Sequence, residues 1–259
     1  MSNTVLMQRD GAIATITLNR PERRNAFNLE MWAALGDVMV GLNSDETLRC
    51  IILRGAGDRA FAAGADIAEF SKVRANSKQA QAYAKIMDRA TDAVRDCPCP
   101  TVAAIQGACV GGGLELAIHC DLRISGRSGR IGLPINRIGN VLPYAAMIAL
   151  VEAVGRPTAL ELLLEGRIFT AEEACTKGLV TRVVEDADLD GEIAATAERI
   201  SAGAPLVARA HKVFSRKAEA PLDLKAKDWV APFENCNSDD YREGIRAFLA
   251  KETPDFTAR

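Results

Sequence analysis

Short apolar runs of strand type recur along the chain at residues 13–18, 50–53, 101–105, 122–124 and 179–184, and stretches of helical periodicity separate most of them. Met31, Leu35, Val38 and Leu42 fall on one face of a first predicted helix, and Tyr83, Met87, Ala90 and Val94 on one face of another. The run Thr170-Ala171-Glu172-Glu173 is a capping box, and Gly178 stops the helix it opens before the next strand. Strands alternating with helices predict an α/β fold. From about Ser201 the strand signals cease, and residues 205–217, 222–230 and 238–250 all carry helical patterning. The chain therefore divides into an α/β core over residues 1–200 and a helical appendage over residues 201–259. No sequence period repeats, and periodicity alone leaves open a doubly wound sheet or a spiral of β-β-α turns.

Composition narrows the class without naming a chemistry. At 259 residues, 48% hydrophobic and 25% charged, the chain has an ordinary globular balance and enough length to bury a sizeable core. A formal net charge of −2 gives no global basic field, so nucleic-acid binding is not expected. The most apolar window, residues 101–118, contains Gln106, Glu115 and four glycines, and reads as a buried strand running into a helix, not a membrane span. Seven scattered cysteines form no spaced framework, and no signal peptide precedes them; reduced thiols in a cytoplasmic protein are expected. Cys97-Pro98-Cys99-Pro100 is not read as a metal site, because neither His119 nor His211 stands at a ligand spacing from it.

The candidate chemistry lies in two loops. Gly111-Gly112-Gly113 follows an apolar strand and opens a helical run, so the bare amide of Gly112 stands at a helix N-terminus that favours negative charge. Glu115 follows three positions later, one turn along the same face. The loop around Gly64 and Ala65 can present a second bare amide. Two such donors on one oxygen make an oxyanion hole, and the carboxylate beside them can move a proton on the attached carbon skeleton. Asp66 reads as a turn or cap residue, His119 as a structural histidine, and Asp121 as a hydrogen-bonding group at the start of a strand. Trp32 and Trp229 read as core or interface. Residues 71–81, with Lys72, Arg74 and Lys78, read equally as a mobile lid or as the solvated start of a helix.

The two loops and their flanks, Phe61-Ala62-Ala63-Gly64-Ala65-Asp66-Ile67 and then Gln106-Gly107-Ala108-Cys109-Val110-Gly111-Gly112-Gly113-Leu114-Glu115, resemble the crotonase (enoyl-CoA hydratase/isomerase) superfamily. The resemblance runs from Leu18-Asn19-Arg20-Pro21 to Phe248 and Lys251 and covers nearly the whole chain. It implies the spiral of β-β-α turns, with the helical appendage packing subunits into a homotrimer or homohexamer. It implies an acyl-CoA thioester as substrate, with coenzyme A as part of the substrate and no further cofactor, metal or membrane partner. Mapped residue by residue, it makes Ala65 and Gly112 the oxyanion-hole pair and Glu115 one of two catalytic glutamates. Arg24, Ala26, Ala63, Ala65, Asp66, Ile67 and Gly112 would line the coenzyme A and acyl sites, joined by Phe248 and Lys251 across a subunit boundary.

One departure matters. Where the family carries its second glutamate after a proline, this chain reads Pro134-Ile135-Asn136-Arg137, and Ile135 can neither give nor take a proton. Asn136, Asn140 or Tyr144 could orient a water or a substrate carboxylate there, or serve as buried polar residues satisfied by backbone. The expected activity is hydration of a 2-enoyl-CoA with Glu115 as acid and base. Double-bond isomerisation, decarboxylation of a malonyl-type thioester, retro-aldol cleavage after hydration, and acyl-CoA binding without turnover stand as alternatives.

Overall fold

The computed structural model describes residues 3–259. Strands β1 (Val5–Asp10) and β2 (Ile13–Leu18) form an antiparallel pair, and helix α1 (Leu29–Asn43) follows, capped by the Asn28 side chain. The chain then winds in repeating turns. β3 (Cys50–Gly55) and β4 (Ala60–Ala62) lead through α2 (Phe70–Val73) and α3 (Ser77–Arg95) to β5 (Thr101–Ile105) and β6 (Ala108–Val110). Helix α4 (Gly112–Ala117) leads on to β7 (Leu122–Gly126) and β8 (Arg130–Gly132), and α5 (Tyr144–Glu165) to β9 (Ile168–Thr170), α6 (Ala171–Thr176) and β10 (Arg182–Val184). One sheet has the order β1-β2-β3-β5-β7-β10 and the other β4-β6-β8-β9. Each of these turns gives one strand to each sheet, and successive turns pair in parallel except that β9 runs antiparallel to β8. This is the β-β-α spiral of the crotonase fold.

The core sits between the sheets and the helices. Trp32, Leu35 and Met39 of α1, Tyr83 and Val94 of α3, and Leu114 and Leu116 of α4 are all buried in it. Helix α5 is two helical segments meeting at Gly155, whose φ of 72° and ψ of 161° break the ladder just before Pro157. Four helices complete the chain: α7 (Leu189–Ser201), α8 (Pro205–Ala218), α9 (Ala226–Glu234) and α10 (Asp239–Ala250). Lys212 of α8 fastens this region to the sheet: its Nζ lies 2.6 Å from Asp121 and donates to the Cys99 carbonyl at 2.9 Å. Asp121 also accepts the Thr101 amide at 2.7 Å, the strand-start role expected of it.

Two expectations change, and the core-or-interface reading of Trp229 is narrowed. The expected strand over 179–184 shrinks to Arg182–Val184, because Leu179 and Val180 are buried in the turn after α6 instead. The helix expected over 222–230 becomes a short 3-10 turn at Pro221–Asp223 followed by α9. Trp229 is 66% exposed and belongs to no core of the single chain. No described helix is long and apolar enough to cross a membrane. All seven cysteines are free.

Candidate active site

The site begins with two loops held side by side. The Arg24 carbonyl accepts the Ala63 amide at 3.0 Å, the Phe27 amide donates to the Gly64 carbonyl at 2.8 Å, and the Asp66 amide to the Phe27 carbonyl at 2.7 Å. The Arg20 guanidinium donates to the Ala26 carbonyl at 2.5 Å and pairs with Asp66 at 2.9 Å. Arg20 beside it holds the Asp66 carboxyl below its usual range, which makes Asp66 a structural anchor for the loop. Arg24, Ala26, Ala63, Ala65 and Asp66 are therefore brought together, and Ile67 adjoins them on the cavity wall.

Peptide geometry fixes where the two amides point. The Gly64 carbonyl is spent on Phe27, and in a trans peptide the Ala65 N–H points the opposite way, off the ladder. The Gly111 carbonyl accepts the Glu115 amide at 2.9 Å along the axis of α4, so the Gly112 N–H points back out of the helix start. The backbone turns this requires lie at Gly64 (φ +104°) and Gly111 (φ +53°), conformations costly for any residue with a side chain. A methyl group on Gly64 would stand 3.8 Å from the Gly112 nitrogen, and one on Gly112 would stand 3.8 Å from the Ala65 nitrogen. Both amides border one cavity of about 290 Å³.

Glu115 projects into that cavity. It is 8% exposed, and no donor among the described residues bonds its carboxylate. Burial pushes its carboxyl up to about 7, with Arg74 pulling it down and Asp88 adding to the rise. A carboxyl poised there can both take and return a proton near neutrality. His119 does not reach it: its Nδ1 lies 2.6 Å from the Glu115 carbonyl oxygen, and burial lowers its pKa, which agrees with a structural histidine.

Apolar side chains make most of the cavity wall, including Ile67, Phe70, Met87, Pro134, Ile135 and Pro143. Trp32 stacks on Phe27 at 3.8 Å and donates from Nε1 to the Tyr83 hydroxyl at 3.1 Å, which fixes two aromatic rings at its base. Ile135 faces this space, so the position of the family's second glutamate does open onto the cavity. Of the polar residues weighed near it, Asn140 lines the cavity. Asn136 instead donates to the Leu164 carbonyl at 2.9 Å, closing the end of α5, and Tyr144 is 86% exposed outside the lining. The reason is geometric: the 3-10 turn Pro134–Ile138 directs Ile135 inward and leaves Asn136 against the end of α5.

Residues 71–81 turn out to be α2, a bend and the start of α3, whose cap is the Asn76 side chain. Arg74 of that bend reaches the cavity, with its guanidinium 4.6 Å from the Phe70 ring and 5.1 Å from the Tyr83 ring. The i,i+4 spacing of Phe70 and Arg74 is the sequence signal for this contact, and it is weak. Phe248 and Lys251 lie on and just beyond α10, outside the cavity lining; Phe248 is 83% exposed.

Comparison with known proteins places the chain in a family. The family model described as enoyl-CoA hydratase/isomerase matches residues 8–259. A protein of Mycobacterium tuberculosis named a probable enoyl-CoA hydratase is 36% identical over 99% of this chain and 98% of its own. A crotonyl-CoA hydratase of Syntrophomonas wolfei is 28% identical over 98% of both chains. The crystal structure of an enoyl-CoA hydratase/carnithine racemase from Magnetospirillum magneticum superposes with a TM-score of 0.98 at 49% identity, over 100% of this chain and 97% of that one. With its spiral, its paired loops and a family match over almost its full length, the chain belongs to the enoyl-CoA hydratase/isomerase family.

Proposed function

We propose that the protein hydrates a 2-enoyl-CoA thioester with Glu115 as the single acid and base. The observation that carries this reading is a buried carboxyl in one cavity with two backbone amides, all three without a partner among the described residues. The thioester oxygen would accept from Ala65 and Gly112, each donor contributing about 3 kcal/mol to the transition state. The Glu115 carboxylate takes a proton from water as the water oxygen bonds the β-carbon, and the alkene electrons move onto the thioester as an enolate. Glu115 then returns that proton to the α-carbon. Coenzyme A enters as part of the substrate, and no other cofactor is needed for these steps.

Incubation with crotonyl-CoA should bleach the ultraviolet band of the conjugated thioester and add the mass of one water. Glu115→Gln should slow turnover by about 100-fold or more. Unchanged turnover by the variant overturns the role of Glu115, and binding without any mass change makes the protein an acyl-CoA binder.

Ile135 on the cavity wall favours a second reading in the same site. With one carboxylate, the same enolate serves double-bond isomerisation, loss of carbon dioxide from a malonyl-type thioester, or retro-aldol cleavage. Mass spectrometry on a panel of CoA thioesters separates these outcomes.

The proposal extends to assembly and setting. Trp229, Val230 and Phe233 of α9 and Phe248 and Leu249 of α10 are exposed on the single chain, an apolar surface suited to burial between subunits. We assign residues 201–259 as the oligomerisation region of a homotrimer or homohexamer, and residues 1–200 as the catalytic core. A cytoplasmic setting accords with seven unpaired thiols.

A further inference from the structure

We infer that the acyl group accepted by this site carries a carboxylate, received by Arg74 with Asn140 beside it. The inference rests on the acyl-CoA reading above and deepens it to a substrate class. Arg74 is half-buried on the wall of the cavity, held over the faces of Phe70 and Tyr83. Among the described residues it forms no ion pair; its hydrogen bond goes to the Asn140 side-chain oxygen at 3.3 Å. That single contact leaves most of the guanidinium's five donors unspent, and it leaves the Asn140 amide hydrogens free to donate beside them.

The charge balance of the cavity points the same way. Arg74 and Arg137 line it against one carboxyl, Glu115, which burial keeps largely protonated below neutrality. Arg137 is exposed and bonds the Gly166 carbonyl at 2.9 Å, so Arg74 is the half-buried cation of the cavity. A half-buried cation among apolar walls is costly unless something neutralises it. Contact with two rings restrains the guanidinium at the cavity wall, and its planar fork suits bidentate pairing with a carboxylate. An uncharged alkyl chain would leave this cation desolvated and unmatched. With Ile135 where a second acid would stand and Arg74 on the same wall, the cavity is equipped to meet an acid on its substrate.

Calorimetric titration of the full-length protein tests this with pairs of saturated thioesters that share coenzyme A, so that only the acyl group differs. Glutaryl-CoA is compared with butyryl-CoA for a distal carboxylate, and methylmalonyl-CoA with propionyl-CoA for a carboxylate on the α-carbon. One charged member should bind about 10- to 100-fold tighter than its neutral counterpart, the range for a charge-assisted hydrogen-bonded pair. Arg74→Met should abolish that preference, and Arg74→Lys should restore part of it. Equal or weaker binding of both charged members by the wild type overturns the inference without any variant. A preference that survives in Arg74→Met overturns the assignment to Arg74. Turnover of crotonyl-CoA and glutaconyl-CoA is followed in parallel: hydration without a charge preference sinks this inference alone, and a charge preference without any turnover sinks the hydratase reading alone.

Discussion

Replacing Glu115 with glutamine should make the protein more stable above neutral pH, even as it removes the proposed acid and base. The Glu115 carboxyl titrates near 7 instead of the ordinary 4.5, and burial is the main cause. At about 1.36 kcal/mol per pH unit, ionising it in the folded chain costs about 3 kcal/mol more than ionising it in the unfolded chain. The sign follows from the raised pKa. Between about 4.5 and 7 the native state holds a proton that the unfolded state has released, so stability falls as pH rises through that window. The favourable contribution is complete below the lower value and gone above the upper one. Glutamine keeps the shape and has no proton to lose. Urea unfolding of both proteins at about pH 5 and about pH 8, at one protein concentration, isolates the term, because every other titrating group cancels in the difference. The variant should gain about 2–3 kcal/mol on the wild type between the two conditions. Stability curves that stay parallel across this range would show that Glu115 ionises freely and that the cavity does not desolvate it.

Ile135→Glu places a second carboxyl on the wall of the Glu115 cavity and should raise crotonyl-CoA hydration by about 10-fold or more, read in the same ultraviolet assay; a folded, substrate-binding variant with no gain refutes it. Gly113→Ala would put a methyl group 2.3 Å from the Ala62 carbonyl oxygen, where backbone must yield, and should cost about 1–3 kcal/mol by urea unfolding; an unchanged midpoint contradicts this. Deleting residues 238–259 removes the apolar side chains of α10 and should lower both the mass seen by light scattering and the affinity for CoA thioesters; a monomeric intact protein at micromolar concentration refutes the assembly.

Legibility in the sequence followed the length and isolation of each signal. Strands β2 and β5 stand where their apolar runs end, because both are bounded by turn residues and buried in the sheet. The three-residue strands β4, β6, β8 and β9 carry no period of their own and exist because a neighbouring turn pairs with them. Strand β1 buries only Val5, so it shows no inward stripe. In the site, Ala65, Gly112 and Glu115 were readable because bare amides and a carboxyl one turn away leave a local pattern. Arg74 was not, since its meaning depends on the bend between α2 and α3 laying it over Tyr83. Asn136 lies in the 3-10 turn Pro134–Ile138, Asn140 just after it and Tyr144 at the start of α5, and which of them meets the cavity depends on how that short segment folds back, which composition does not encode.

The alternation of strands between the two sheets has a kinetic consequence. Ala65 and Gly112 follow β4 and β6, which become neighbours only when consecutive turns of the spiral have closed on each other. No single turn contains the site, and each pairing joins segments far apart in sequence, so the loop-closure entropy must be met before any contact repays it. Refolding should therefore be slow for a chain of this size, and recovery of activity should appear together with the last parallel pairing instead of growing with early helix formation. A partly wound chain would display α3 and α4 with their apolar faces bare and would have no catalytic competence to show for it.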